Sequence, residues 1–201
     1  LLMYGIPNMK LDKSVIERRV KIMQAEGVEF RTNMDVGGAV DAAELLKSYD
    51  AIVLCCGAKK ARDLNVPGRD AKGVHLAVDY LTSVTKSLLD SDFADGRAIN
   101  AAGRNVLVIG GGDTGNDCQG TALRQGCVSV TQLVRRKRED YLVNGELPLD
   151  YAHEEAVSVT GADPRRFAVQ VKELIAGESG ALTAVVTTDG DTIPCNLLIA
   201  A

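Results

Sequence analysis

The sequence predicts an α/β fold in which helices cover a parallel sheet and an antiparallel β-meander accompanies it. Two patterns point to this class. Unbroken apolar runs, such as the one over residues 106–109, are typical of strands buried on both faces, as parallel strands are. Later in the chain, residues 166–193 form short strand-like segments separated by glycine turns, which is the pattern of a meander.

Composition places the chain among soluble globular proteins. It has 201 residues, of which 46% are hydrophobic and 25% are charged, enough to build a sizeable core. Its net charge of −4 predicts no nucleic-acid partner, and no apolar stretch approaches the roughly 18 residues of a membrane span. We therefore expect a cytoplasmic protein that binds neither nucleic acid nor membrane.

Apolar spacing and turn residues divide the first 89 residues into elements. The N-terminal helix has Asp12 as its N-cap and stops at Gly27. The turn signal Asn65-Val66-Pro67-Gly68 marks a boundary, so we expect one domain over 1–67 and another over 68–201. The predicted elements are a helix over 11–26, a strand over 28–32, a helix over 41–47, a buried strand over 51–56 and a helix over 76–89.

The central motif is NVLVIGGGDTG, residues 105–115, in which a strand runs through a glycine turn into a helix over 114–125. Gly110 permits the tight turn, Gly112 lets the backbone approach phosphates, and Gly115 allows the helix to pack closely on the strand. The helix N-terminus then offers unpaired N–H groups and a positive dipole end to an anion. The predicted site for a dinucleotide pyrophosphate consists of Gly110, Gly111, Gly112, Asp113, Thr114 and Gly115.

A second strand strengthens this interpretation, because the glycine pattern alone is also that of a loop without a ligand. This strand, over 129–136, ends roughly 20 residues after Gly115, the spacing of a dinucleotide site. Its tip carries Arg135 and Arg136 where an NAD site has an acid, which suits the 2′-phosphate of NADPH. The alternative is a solvated charge cluster. Asp113 would repel a pyrophosphate unless its carboxylate caps the helix or points away.

The remaining segments complete the predicted fold and its ends. They are a crossover helix over 147–156 with Pro148 in its first turn, strand-like segments over 166–175, 181–188 and 192–193, and a buried strand over 196–201. The chain begins without an initiator Met and ends without a turn residue. We therefore expect a fragment of a longer protein.

The cysteines and histidines show no pattern of a metal or catalytic site. The five cysteines have no metal-ligand spacing, so no metal site is predicted. Cys55 and Cys56 lie inside a predicted apolar strand, which favours buried, reduced thiols. Neither His75 nor His153 has an obvious partner, and no catalytic residue is assigned.

Four stretches of the chain resemble the small subunit of glutamate synthase, one of the flavoproteins that carry two dinucleotide-binding domains. The stretches are LLMYGIPNMKLDK at 1–13, AIVLCCGAKKARDLNVPGRD at 51–70, NVLVIGGGDTGNDC at 105–118 and IPCNLLIAA at 193–201. The resemblance implies that residues 1–67 are the C-terminal part of an interrupted FAD domain, with Cys56 and Gly57 at the turn that approaches the flavin nucleotide. It implies that residues 68–201 are a Rossmann-like NADPH domain.

The resemblance also implies an activity for the whole protein. Reduced nicotinamide would pass hydride to FAD, and electrons would continue through iron-sulfur clusters to the large subunit, which makes glutamate from glutamine and 2-oxoglutarate. The family's FAD glycine loop, its cysteine-rich segment and its second strand–glycine turn have no counterpart in this chain. We therefore expect the chain to bind NADPH, but neither FAD nor clusters, and to be inactive alone.

Three alternatives stay open. They are the NADPH domain of a related ferredoxin- or dihydropyrimidine-linked flavin reductase, a non-catalytic NADP-binding module, and a methyltransferase that uses another adenine nucleotide. The FAD-like segment over 51–57 argues against the module, and the basic Arg135 and Arg136 argue against the methyltransferase.

Overall fold

A computed structural model of the chain describes residues 1–58, 60–61 and 63–201. Among these residues, no helix has the length and apolar character that crossing a bilayer requires. The elements are α1 (Lys13–Ala25), α2 (Ala42–Ser48), β1 (Val74–Leu76), α3 (Ala77–Ser91), β2 (Asn105–Ile109), α4 (Asp113–Arg124), β3 (Ser129–Val134), a short 3-10 helix (Arg138–Tyr141), α5 (Tyr151–Thr160), β4 (Arg165–Phe167), β5 (Val171–Ala176), β6 (Leu182–Thr187), β7 (Thr192–Pro194) and β8 (Leu197–Ala200).

The described residues divide into two compact units, and the smaller one spans Lys13–Ala61. It contains α1 and α2, as predicted, and the Asp41 carboxylate caps α2 by accepting from the Ala43 N–H at 2.8 Å. The strands predicted over 28–32 and 51–56 are wrong, since both segments are exposed and outside any ladder. Their apolar patterns fit strands, but a strand forms only where a neighbour pairs with its backbone.

The larger unit, Leu1–Asp12 with the described residues of Arg62–Ala201, contains a five-stranded parallel sheet. The strand order is β1-β8-β2-β3-β4, so the last strand of the chain lies between β1 and β2. Alternate residues face opposite sides. Val106 and Val108 pack with α3 and α4 residues such as Tyr80 and Cys118, whereas Leu107 belongs to the cluster on the other face.

An antiparallel meander, β5-β6-β7, covers that second face. Leu174, Leu182 and Val185 of the meander join Leu107 and Leu198 of the parallel sheet in one buried cluster. The predicted α/β class, with a Rossmann-like parallel sheet and an antiparallel meander, is therefore confirmed. The sheet has helices on one face and strands on the other.

Residues 166–175, predicted as one strand, form parts of two strands in different sheets. β4 pairs with β3 in the parallel sheet, and β5 pairs with β6 in the meander. Ala168 lies between them in the left-handed region, with φ +58, and redirects the chain. A hydrophobic pattern carries no signal for such a single-residue turn.

The crossover helix begins later than expected, at Tyr151. Asp150 is its N-cap, and the Asp150 carboxylate accepts from the N–H groups of Ala152 and His153 at 3.1 Å each. Because an N-cap with two such bonds defines where a helix starts, Pro148 precedes the helix instead of lying in its first turn.

Candidate nucleotide-binding site

A cleft of about 800 Å³ opens where the carboxyl ends of β2, β3 and β8 meet, entirely within the larger unit. Ligand pockets typically have volumes of roughly 300–1,000 Å³ and lie at this edge of parallel sheets. The cleft is lined by Asp63, Leu64, Asn65, Val66, Ile109, Gly110, Gly111, Gly112, Leu133, Arg135, Arg136, Tyr141, Val169, Gln170, Val171 and Ala201.

The first part of the cleft is the glycine turn after β2. Gly110 has φ +125, and a Cβ at this position would lie 2.9 Å from the carbonyl oxygen of Ala201. A Cβ at Gly115 would overlap the carbonyl oxygen of Gly110 and lie 3.1 Å from the Gln132 side-chain nitrogen. The turn and α4 can therefore approach one another this closely only with glycine at both positions.

The N-terminus of α4 faces the same turn without a side-chain cap. Gly112 is the N-cap residue, so the first turn, which includes the exposed Asp113 and Thr114, receives no hydrogen bond from a capping side chain. A Cβ at Gly112 would meet no atom within 4 Å. The N–H groups of this turn and the space in front of Gly112 suit an anion. The residues fit a pyrophosphate, and its binding to Gly110–Gly115 stays a prediction.

The Asp113 carboxylate neither caps the helix nor lies buried beside the turn. Its side chain is 91% exposed, and its carboxylate oxygen lies 4.0 Å from Lys10 Nζ. The same Lys10 pairs with Asp117 at 3.1 Å, and the Tyr151 hydroxyl donates to Asp117 at 2.7 Å. Burial and this hydrogen bond raise the pKa of Tyr151. Sequence reasoning did not single out Lys10, which places a cation near the start of α4.

Arg135 and Arg136 follow β3 directly and line the cleft together with the glycine turn. Both are exposed, and neither forms an ion pair within residues 1–58, 60–61 and 63–201. The N–H of Ala168 donates to the Arg136 carbonyl oxygen at 2.9 Å, which anchors the backbone of this tip. Two guanidinium groups are thus available to an anion at the end of the cleft nearest β3.

A buried polar cluster lies behind the glycine turn, and sequence reasoning missed it. Gln132 is fully buried in β3, and its amide contacts Gly110, Asn116 and His153. His153 has no obvious partner in the sequence, but in the structure its Nε2 lies 2.9 Å from Gln132 Oε1 and its Nδ1 lies 3.0 Å from the Asp150 carboxylate. Burial lowers the pKa of His153, and the Asp150 charge opposes that effect. A polar residue in the middle of an apolar strand was the available signal.

Cys56 and Gly57 belong to the smaller unit, whereas every residue that lines this cleft belongs to the larger unit. Cys55 and Cys56 are both exposed, which corrects the prediction that they are buried, because residues 51–56 pair with no strand among the described residues. A flavin role for Cys56 and Gly57 stays a prediction.

Unlike Cys55 and Cys56, Cys195 is buried, and burial raises the pKa of its thiol to about 12. The described residues contain no group of three or more His, Cys, Asp or Glu side chains that could hold a metal ion.

Comparisons with known proteins agree with this architecture. The family model described as pyridine nucleotide-disulphide oxidoreductase matches residues 38–201. The glutamate synthase [NADPH] small chain of Bacillus subtilis is 48% identical over 196 residues, which are 93% of this chain and 40% of that relative. The glutamate synthase [NADH] of Schizosaccharomyces pombe is 45% identical, over 93% of this chain and 9% of its own length. The resemblance to glutamate synthase is confirmed, and the chain spans less than half the length of these relatives.

A solved structure, Mycobacterium tuberculosis FprA in complex with NADPH, has a TM-score of 0.64 to this chain. The match covers 100% of this chain and 60% of FprA at 19% identity. At that identity the likeness concerns the fold alone, which it supports.

Proposed function

Because the chain belongs to the pyridine nucleotide-disulphide oxidoreductase family, we propose that it is the NADPH-binding portion of a flavin-dependent oxidoreductase of the glutamate synthase type. The observation that carries this proposal is the juxtaposition of an open glycine turn, a helix N-terminus without a side-chain cap and two exposed arginines in one cleft. Each of these features binds phosphate, and a dinucleotide phosphate presents several phosphates at once.

Each part of the cleft has a distinct binding role in this proposal. The N–H groups of Gly111, Gly112 and the first turn of α4 bind the pyrophosphate, since a Cβ at Gly112 would meet no atom within 4 Å and the space in front of this residue is open. Arg135 and Arg136 bind the 2′-phosphate through their planar forks. The chemistry that these cofactors would supply, once both are bound, is hydride transfer from the nicotinamide to FAD. The residues described here hold and orient the nucleotide and contribute no acid or base.

The proposal for the whole protein follows the similarity to glutamate synthase. Residues 1–67 would belong to an interrupted FAD domain, with Cys56 and Gly57 near the flavin nucleotide, and residues 68–201 would be the NADPH domain. The exposed apolar segment around Val53 and Leu54 supports this division, because its composition is that of a strand buried in the sheet of a larger domain. Electrons would continue through iron-sulfur clusters to a large subunit for glutamate synthesis.

Cofactor preference is the sharpest test, since the relatives are named for NADPH in one case and for NADH in another. Calorimetric titration of Arg135→Ala and Arg136→Ala should show weaker NADPH binding and nearly unchanged NADH binding. A charge-assisted hydrogen bond contributes about 1.5–3 kcal/mol, so each lost contact costs roughly 10- to 100-fold in affinity. Arg138→Ala is the matched control, because Arg138 is an exposed cation of the same tip that does not line the cleft.

The rival explanation is a solvated basic patch without a specific ligand. It predicts a small, equal loss for both nucleotides in all three variants, including the Arg138 control. Equal losses for NADPH and NADH would remove the assignment of Arg135 and Arg136 to the 2′-phosphate. A wild-type chain that binds neither nucleotide would remove the proposed function itself.

A further inference from the structure

The buried amide of Gln132 lies directly beneath the glycine turn. Its Nε2 donates to the carbonyl oxygen of Gly110 at 2.7 Å and to Asn116 Oδ1 at 2.9 Å. Its Oε1 lies 2.9 Å from His153 Nε2. Gln132 is 0% exposed and His153 is 4% exposed, so water competes little for these bonds.

The bonding partners determine which atoms carry the protons. Gly110 O and Asn116 Oδ1 are acceptors, because the Asn116 amide nitrogen donates to the Asp150 carboxylate. The Gln132 nitrogen must therefore face them, which leaves its oxygen toward His153. His153 then donates from Nε2 to Gln132, and its Nδ1 accepts from the backbone N–H of Asp150 at 3.4 Å. Every polar atom of Gln132 is satisfied in this one orientation alone.

This orientation has a consequence at the cleft. The C=O of Gly110 and the N–H of Gly111 belong to one planar trans peptide, so they point in opposite directions. A Gly110 carbonyl drawn inward by Gln132 turns the Gly111 N–H outward, and Gly111 lines the cleft. Glycines have no side chain that would hold this peptide, and the opposite orientation is sterically open to them.

We propose that Gln132, held by His153 and Asn116, is a positioning residue that presents the Gly111 N–H to a nucleotide phosphate. The proposal rests on the proposed function of the cleft. Gln132 does not line the cleft itself and acts only through the Gly110–Gly111 peptide. Its role is thus distinct from that of the glycines, which make room for the phosphates.

The test separates pyrophosphate binding from binding of the adenosine end. Gln132→Met preserves the length of the side chain and removes its hydrogen bonds. NADPH should bind about 10-fold more weakly, the equivalent of one lost hydrogen bond. 2′-AMP, which carries the 2′-phosphate but no pyrophosphate, should bind within twofold of wild type. In the wild type, the Gly111 amide proton should shift downfield in NMR spectra when NADPH is added, and this shift should be lost in the variant.

Three further variants guard against a loss of binding that follows from destabilisation alone. Tyr80→Phe removes a buried hydroxyl that donates to Gln125 at 2.8 Å, among the residues packed on α3 and α4, and should leave the Gly111 shift intact. His153→Gln retains an N–H donor for Gln132 and should bind NADPH within twofold of wild type. His153→Phe removes that donor and should weaken NADPH binding several-fold. If Gln132→Met does not fold, the difference in NADPH affinity between His153→Gln and His153→Phe tests the positioning role of Gln132.

Each remaining outcome overturns a specific statement. If folded Gln132→Met binds NADPH as the wild type does, or if NADPH and 2′-AMP lose affinity equally, Gln132 does not position the phosphate loop. Equal NADPH affinities for His153→Gln and His153→Phe would likewise remove His153 from that role. A wild-type chain that binds 2′-AMP but not NADPH would overturn the positioning role and the pyrophosphate site together, while retaining the 2′-phosphate site.

Discussion

Two glycines of the same turn should respond to substitution in opposite ways. Gly112→Val adds a side chain where no atom lies within 4 Å, at a backbone φ of −101 that any residue adopts. Gly115→Ala adds a single carbon where the carbonyl oxygen of Gly110 already stands. We therefore expect the first substitution to impair nucleotide binding with little effect on stability, and the second to destabilise the fold.

The magnitudes follow from these surroundings. At Gly115 the added carbon overpacks the contact between α4 and the turn, which typically costs about 1–3 kcal/mol of unfolding free energy. At Gly112, the loss of a favoured N-cap residue costs about 1 kcal/mol or less, since a β-branched residue is a poor substitute there. The valine side chain would hold the phosphates away from at least two N–H donors. At about 1.5–3 kcal/mol each, this loss lowers NADPH affinity by roughly 100-fold or more.

The assay pairs urea denaturation with calorimetric titration of NADPH for the wild type and both variants. Denaturation gives the unfolding free energy, and the titration is interpreted only for protein that is folded at the working temperature. If folded Gly112→Val kept its NADPH affinity within a few-fold, the phosphates would have to bind elsewhere. A Gly115→Ala variant as stable as the wild type would show that the turn and α4 are not packed as closely as described.

Two other predictions concern titration and thiol chemistry. Burial lowers the pKa of His153 in the folded state, so the unfolded state takes up a proton first as the pH falls. The free energy of unfolding is therefore at its full value above the unfolded pKa of about 6.5 and declines as the pH falls below it. Urea denaturation from about pH 7.5 to about pH 5.5 should show this decline, and His153→Gln should flatten it; an unchanged slope would contradict the assignment. An aromatic disulfide reagent should label the exposed Cys55 and Cys56 in the native chain, and the buried Cys118 and Cys195 only after unfolding. Mass spectrometry that finds Cys118 labelled as fast as Cys55 would refute the described burial.

Local patterns were sufficient for the elements that surround the cleft. The β2 strand, the glycine turn and α4 were predictable because their signals are contiguous: an apolar run, then glycines, then an uninterrupted helical stretch. The close contact between Gly115 and Gly110 was likewise predictable, since it joins residues five positions apart in one turn. Arg135 and Arg136 could be placed at the same edge because parallel strands end together.

Features that depend on distant residues were not accessible in this way. The apolar segment over 51–56 has the composition of a strand, but it is exposed in the structure. A strand forms only beside a second strand, and the composition of one segment does not show whether such a neighbour exists. The partnership of Gln132 and His153 joins residues 21 positions apart on β3 and α5. No hydrophobic period predicts such a contact, because polar pairs leave no repeating pattern.

The sequence by itself determined the α/β class, the glycine turn and the basic tip, since each depends on the conformational preferences and charges of neighbouring residues. Only the tertiary structure decided that β8 lies between β1 and β2, that residues 165–176 divide between two sheets at Ala168, and that a buried amide sets the Gly110–Gly111 peptide. These features arise from the pairing of backbone and polar groups across long separations in sequence. The contacts that stabilise these features join residues far apart in sequence, and they form only when the sheet has formed.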